Sequence, residues 1–239
     1  MLKPIAADVW GHEKEIGLPL GLTMPGRATI MRLADGGLVI YSPLAVDDAT
    51  AKEIDALGEV RFLVAPNSLH WMFVKAAKER WTKARVLASP VLAKKLGSFP
   101  FEELPESGRI SGMDGVRVER IQGAPTIQEH VLLHESSRSL VVGDLMFNIH
   151  ECRSFWMRLV LRIGGTWKKA GQSIEWRRLV KERATAARSA LDVLEWDFER
   201  VVVAHGDVIE DDARERARRA LAWMTSGAPK LLGSGSVAT

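Results

Sequence analysis

QEHVLLHESSRSLVVGDLMFN, residues 128–148, is the stretch whose reading decides the fold. Val131, Leu132 and Leu133 form one apolar run, and Leu140, Val141 and Val142 form a second. The polar Glu135-Ser136-Ser137-Arg138 between them suits a tight connection, so two short strands are expected. The second stops at Gly143-Asp144, leaving a carboxylate at its tip. Strand tips are where layered α/β proteins keep their chemistry, because the sheet fixes a group that the loop leaves open. A similar tip recurs downstream, where Glu199 to Ala204 (ERVVVA) reads as a buried strand and runs into His205-Gly206-Asp207. Asp144 and His205 are therefore a candidate metal or acid/base pair. The competing reading is structural, since Asp at a strand end often only caps the helix that follows.

Working outward, Ala28 to Leu33 and Leu38 to Tyr41 read as a hairpin around Ala34-Asp35-Gly36-Gly37. Residues 1–26 show little periodicity. Asp47 to Leu57 has helical spacing, with Asp47 or Asp48 able to cap it. Arg61 to Ala65 is an apolar strand broken by Pro66-Asn67-Ser68. The helix expected next would use Leu69, Met72, Phe73, Ala76 and Ala77 as its inward stripe, with His70 near its start. Arg85 to Ala88 and Val116 to Ile121 are further strands. Beyond Asn148 the spacing predicts helices over Phe155–Ile163 and Ile174–Leu194, then the strand ending at Ala204, then a closing helix over Asp211–Met224. Strands and helices mixed in this order argue for an α/β or α+β layered protein. One domain over residues 1–226 is expected, with a helical basic insert at 151–196 and a flexible tail at 227–239.

The lone cysteine, Cys152, excludes an intrachain disulfide and a CxxC metal site. No run approaches a membrane span and the N-terminal stretch lacks a signal-peptide core, so a cytoplasmic location is expected. Charge is unevenly placed: residues 151–190 hold ten Lys/Arg against three acids, with Trp156, Trp167 and Trp176 among them. A solvated helical face accounts for such a run, as does a surface for an acidic partner. No recognised nucleic-acid module is present, and a specific nucleic-acid partner is not expected.

Pro66-Asn67 followed by His70, the run from Glu129 through His134 and Ser137-Arg138 to Asp144-Leu145 and Phe147-Asn148, and Ala204-His205-Gly206 come in a telling order. In that order the chain resembles the metallo-β-lactamase superfamily, and in particular a branch known only as a domain of unknown function. The resemblance implies a four-layer αββα sandwich whose active members hold one or two zinc, iron or manganese ions at one edge and hydrolyse esters, amides, thioesters or phosphoesters. It matches Asp144 to the bridging aspartate and His205 to the final histidine of the pattern. The signature His-x-His-x-Asp-His is degenerate here. Asn67, Leu69, Trp71 and Met72 stand where its histidines and aspartate would be. His70 or Glu129 would have to supply a third ligand, because two do not make a tight site. His134 and His150 read as surface or turn residues, and His12 falls in a segment without an assigned element.

Two functions remain open on this reading. One is a hydrolase with an eroded, mononuclear zinc, iron or manganese site of Asp144, His205 and His70 or Glu129. His70 would complete the site or act as base, and the basic insert would favour an anionic small-molecule substrate. The other is a binding or scaffold protein without metal that works through the Trp-bearing insert. Membrane attachment through Phe155–Ile163, with Arg158 and Arg162 at i, i+4, is the weakest reading, because docking of that segment onto the core explains it as well.

Overall fold

Alternation along each strand sets which layer a side chain enters. In the computed structural model, which describes residues 1–226, the first sheet runs in sequence order. Its strands are β1 (Lys3–Ala6), β2 (Val9–Gly17), β3 (Thr23–Arg32), β4 (Leu38–Tyr41), β5 (Val60–Ala65), β6 (Arg85–Ala88) and β7 (Glu102–Glu103). The first four form an antiparallel meander, and β4 to β7 are parallel. Helices α1 (Asp48–Leu57), α2 (Val74–Arg80) and α3 (Ala93–Leu96) make the crossovers that parallel pairing requires. The second sheet contains β8 (Ser107–Arg109), β9 (Val116–Arg120), β10 (His130–His134), β11 (Ser139–Val142) and β12 (Arg200–Val203), in the order β12-β11-β10-β9-β8. Between β11 and β12 come α4 (Phe155–Ile163), α5 (Ile174–Leu179) and α6 (Arg183–Leu194), and α7 (Ala213–Thr225) follows β12.

Three apolar layers hold this together. Leu132, Val141 and Val202 point inward against Val39, Phe62 and Val64 of the first sheet. Their neighbours Leu133, Leu140 and Val203 point the other way, onto Ala186, Ala190, Ala217 and Leu221 of α6 and α7. On the far side, Ile40, Leu63 and Val86 meet Ala51, Ile54, Val74 and Ala77 of α1 and α2. Strands covered on both faces carry unbroken apolar runs, which is why LVV and VVV stand out in the sequence. The layers are helix, sheet, sheet, helix: the αββα sandwich expected above. The tail at 227–239 lies outside the described residues.

Five local expectations change. Residues 1–26 carry β1, β2 and the start of β3, because a nine-residue ladder from Val9↔Met31 to Gly17↔Thr23 holds β2 despite its charged Glu13, Lys14 and Glu15. The helix after β5 starts only at Val74, since Asn67 Oδ1 accepts the amides of Leu69 and His70 and keeps that stretch in turns. Its buried residues are Val74 and Ala77, while Leu69 and Met72 face outward. The helix expected over 174–194 breaks at Val180–Glu182, where the amides of Lys181 and Glu182 donate to the Gly123 carbonyl. His134 is buried rather than at the surface, bonded to Ser137 Oγ and the Arg32 carbonyl. His12 is buried on β2 with Nε2 on the Ala45 carbonyl.

Leu132 lies between the sheets with no exposed surface. Leu132→Ala is expected to lower unfolding stability by about 2–5 kcal/mol in urea denaturation, against less than about 0.5 kcal/mol for the exposed Glu103→Ala.

Candidate metal centre

Strand register brings two of the sequence candidates side by side. Parallel strands β11 and β12 pair Val142 with Val203. Two residues further along each chain stand Asp144 and His205, so both leave the same edge of the second sheet. The Asn148 amide donates to the His205 carbonyl and continues this alignment past the strands. Gly206 makes room for it: a Cβ there would sit 2.2 Å from the Asn148 carbonyl oxygen, and φ is +102°. His70 arrives from the first sheet, on the turn that follows β5. One ligand atom from each of His70, Asp144 and His205 lies within 4.8 Å of the others.

The separations are short and mutual. His70 Nε2 stands 3.0 Å from Asp144 Oδ2, His205 Nε2 stands 3.3 Å from Asp144 Oδ1, and the two Nε2 atoms are 3.4 Å apart. His205 Nδ1 lies 2.9 Å from the Pro25 carbonyl, which can only accept, so Nδ1 carries the hydrogen. In the neutral ring Nε2 then directs a lone pair at a carboxylate oxygen and at another imidazole. A cation placed between the two imidazoles and the carboxylate would accept those lone pairs. Donor atoms held at about 2.0–2.1 Å around a tetrahedral ion lie about 3.3 Å apart, close to the separations here, where Asp144 offers a different oxygen to each imidazole. The residues therefore fit a single zinc, iron or manganese ion. Ser42, in the left-handed region at φ 55°, places its hydroxyl on His70 Nδ1 and fixes that ring. Phe147 stacks on His205 with centroids 5.2 Å apart.

Glu129 is not brought into this group. It is fully buried behind Asp144, and its oxygens are occupied: Oε1 accepts the Gly143 amide at 2.7 Å, and Oε2 accepts the Asp144 amide at 3.3 Å and Asn67 Nδ2 at 2.5 Å. Backbone amides one and two residues beyond β11 thus turn it away from the ligand cluster and make it a support. Asn67 Nδ2 also donates to Asp144 Oδ2 at 2.9 Å, bridging two carboxylates, while its oxygen takes the amides of residues 69 and 70. The amide cannot be flipped without setting its oxygen against both acids. Burial, and then the Asp144 charge, push Glu129 up to about 8. Burial alone would raise Asp144 too, but His70 and His205 hold it far below the usual carboxylate range. The two carboxyls are pushed in opposite directions, which favours one negative charge on the pocket floor over two. Asn67, Ser42 and Pro25 were not singled out as site residues in the sequence. The available signal was their position just after or opposite a strand end.

Two apolar hollows open on either side of Asp144. One of about 250 Å³ runs past Ser42, Leu44, Leu69 and Met72 to His70 and His205. The other, about 280 Å³, is walled by Phe147, Met157, Val160, Leu161 and Trp176. Leu18, Met24, Leu69 and Asp144 border both. Neither lining includes a lysine or arginine.

Asn67→Ala removes the bridge between Glu129 and Asp144 and is expected to weaken metal binding by about 10–100-fold, read by competition with a fluorescent chelator. Gly143→Ala would bring a Cβ within 2.8 Å of Glu129 Oε1. It should destabilise the fold and weaken the same binding, without touching any of the three donor atoms.

Comparison with known proteins places this edge in context. Residues 6–108 match the model of a family described as a domain of unknown function, DUF4336. No curated protein is similar at the sequence level. Solved structures match nearly end to end. The metallo-β-lactamase FIM-1 from Pseudomonas aeruginosa, in its mono-zinc form, superposes with a TM-score of 0.63 at 14% identity, over 95% of this chain and 96% of its own. A metallo-β-lactamase from Pontibacter korlensis gives 0.61 at 14% identity, over 93% and 98%. The metal-soaked Flv1 flavodiiron core from Synechocystis gives 0.65 at 11% identity, over 94% of this chain and 60% of that one. Layer order, sheet topology and these superpositions agree: the chain has the metallo-β-lactamase fold.

Proposed function

We propose that the protein is a metal-dependent hydrolase with one metal ion held by His70, Asp144 and His205, acting on an uncharged small molecule with an apolar acyl group. The observation that carries this reading is the convergence of two imidazoles on one carboxylate, each Nε2 within 3.0–3.3 Å of an Asp144 oxygen and 3.4 Å from the other Nε2. When bound, zinc, iron or manganese supplies Lewis acidity and an activated water at neutral pH. Asp144 contributes the fixed negative charge, and Asn67 and the strand register hold it in place. His205, oriented by the Pro25 carbonyl, and His70, oriented by Ser42, contribute neutral imidazoles. In this arrangement His70 serves as third ligand rather than as a separate base. The hollows beside Asp144 exclude water and accept apolar groups on both sides of a scissile bond. Their lining favours an uncharged substrate over the anionic one suggested by the basic insert.

The scaffold alternative draws support from one observation: Leu69 and Met72, at two former signature positions, face the hollow instead of the metal. Elemental analysis of purified protein separates the two. We expect about one equivalent of zinc, iron or manganese that disappears in Asp144→Ala and His205→Ala. Less than roughly a tenth of an equivalent after incubation with excess metal would sink the hydrolase reading. Activity on p-nitrophenyl esters is then expected to rise from acetate to octanoate and to vanish with chelation.

A further inference from the structure

Helix α4 reads FWMRLVLRI, which docking onto the core and attachment to a membrane explain equally in sequence. Only Met157 and Leu161 are buried. Phe155, Trp156, Leu159, Val160 and Ile163 are exposed, Trp156 by 65% and Ile163 by 68%. At about 100° per residue these five fill one arc, opposite the buried pair. A helix that only packed on the core would not spread a second apolar arc toward water.

Location makes this more than a loose surface helix. Apart from Met1, every exposed large apolar side chain among the described residues lies on α4 or on two turns: Leu20 on one, Leu69 and Met72 on the other. Leu18 and Leu69 border both hollows beside Asp144, and Val160 borders the second. Leu69, Met72 and Val160 thus border the hollows themselves, and the other exposed apolar residues lie on the same helix or two residues beyond Leu18. Leu20 is 97% exposed while holding a left-handed conformation at φ 63°, which a leucine adopts only under constraint. Charge near α4 is mainly basic, with the exposed Glu175 of the second hollow as an acid among it. Arg158 and Arg162 flank the apolar arc, α4 contains no acid, and the exposed Lys168 and Lys169 follow. Exposed aromatic and aliphatic residues beside arginines are the pattern of a helix lying in the plane of a lipid headgroup layer. No helix among the described residues is long and apolar enough to cross a membrane.

We propose that α4 and the turns at Leu20 and Leu69–Met72 form a docking surface for an anionic lipid bilayer, with the metal-centre mouth facing the membrane. Trp156 and Ile163 enter the headgroup boundary, and Arg158 and Arg162 meet lipid phosphates or carboxylates at its rim. Contact of this kind would let an apolar molecule pass from the bilayer into the hollows without crossing water.

Sedimentation of the full chain with vesicles tests this. Binding is expected to phosphatidylcholine vesicles carrying about 30% phosphatidylserine and not to pure phosphatidylcholine, with release as salt rises from about 0.05 to 0.5 M. Trp156→Ser/Ile163→Ser should abolish it, and Arg158→Ala/Arg162→Ala should weaken it about 25-fold, at about five-fold per arginine. All four residues are outside the buried core, and unchanged thermal midpoints would show that the variants fold. A chelator should leave vesicle binding intact, so the surface stands or falls separately from the metal centre. No binding to anionic vesicles at low salt, or equal binding by the Trp156/Ile163 variant, overturns the proposal. So does a concentration-dependent dimer that the same variant abolishes, because the surface would then be covered by a second copy.

Discussion

Parallel pairing of β11 with β12 is the contact on which the rest depends. Val142 opposite Val203 carries the register two residues further, to Asp144 and His205. A slip of one residue would send the apolar side chains of one strand to the wrong layer, so the two cores that grip these strands also fix the separation of the two ligands. Parallel neighbours cannot be joined by a tight turn. The crossover between β11 and β12 houses α4, α5 and α6, and α4 comes to lie over the edge where the strands end. One topological requirement thus aligns the ligands and sets an amphipathic helix beside them.

Behind the ligands, burial is managed by hydrogen bonds instead of by separation. Two carboxylates within reach of one asparagine amide would repel strongly in a region of low dielectric. Burial and the Asp144 charge push Glu129 toward its neutral form, while attraction and hydrogen bonding from His70 and His205 favour the ionised form of Asp144. Tyr41 closes the same layer: its hydroxyl donates to the His130 carbonyl at 2.8 Å, and burial keeps it neutral. The floor is thus a network of satisfied groups, with one negative charge turned toward the open edge.

Much of the architecture was legible because strands buried on both faces leave unbroken apolar runs, as in LVV and VVV. β2 was not, because Glu13, Lys14 and Glu15 mask its alternation and a long ladder with β3 holds it instead. The break between α5 and α6 depends on a carbonyl of Gly123 that no local pattern announces. At the centre, Asp144 and His205 were visible as strand tips. His70 entered through family resemblance alone, since a single histidine in a turn carries no signal of its own. Glu129 reads in sequence as an alternative third ligand because a carboxylate looks the same whether it faces a metal or two backbone amides. Ser42 and Pro25 contribute a hydroxyl and a carbonyl from distant segments; their places by strand ends are visible in sequence, but only tertiary contacts show which ring each one meets.

The three donors do not belong to one sheet. His70 rides on the first, Asp144 and His205 on the second, and an ion held by all three would bolt the halves of the sandwich together at their open edge. Ligation then becomes linked to closure of the whole fold, and an ion that binds only the assembled sandwich at about 100 times its dissociation constant adds about 2.7 kcal/mol to global stability. Losing such an ion would loosen the joint between the sheets before it touched either sheet's own hydrogen bonds, and metal supply would then control how long the folded chain survives.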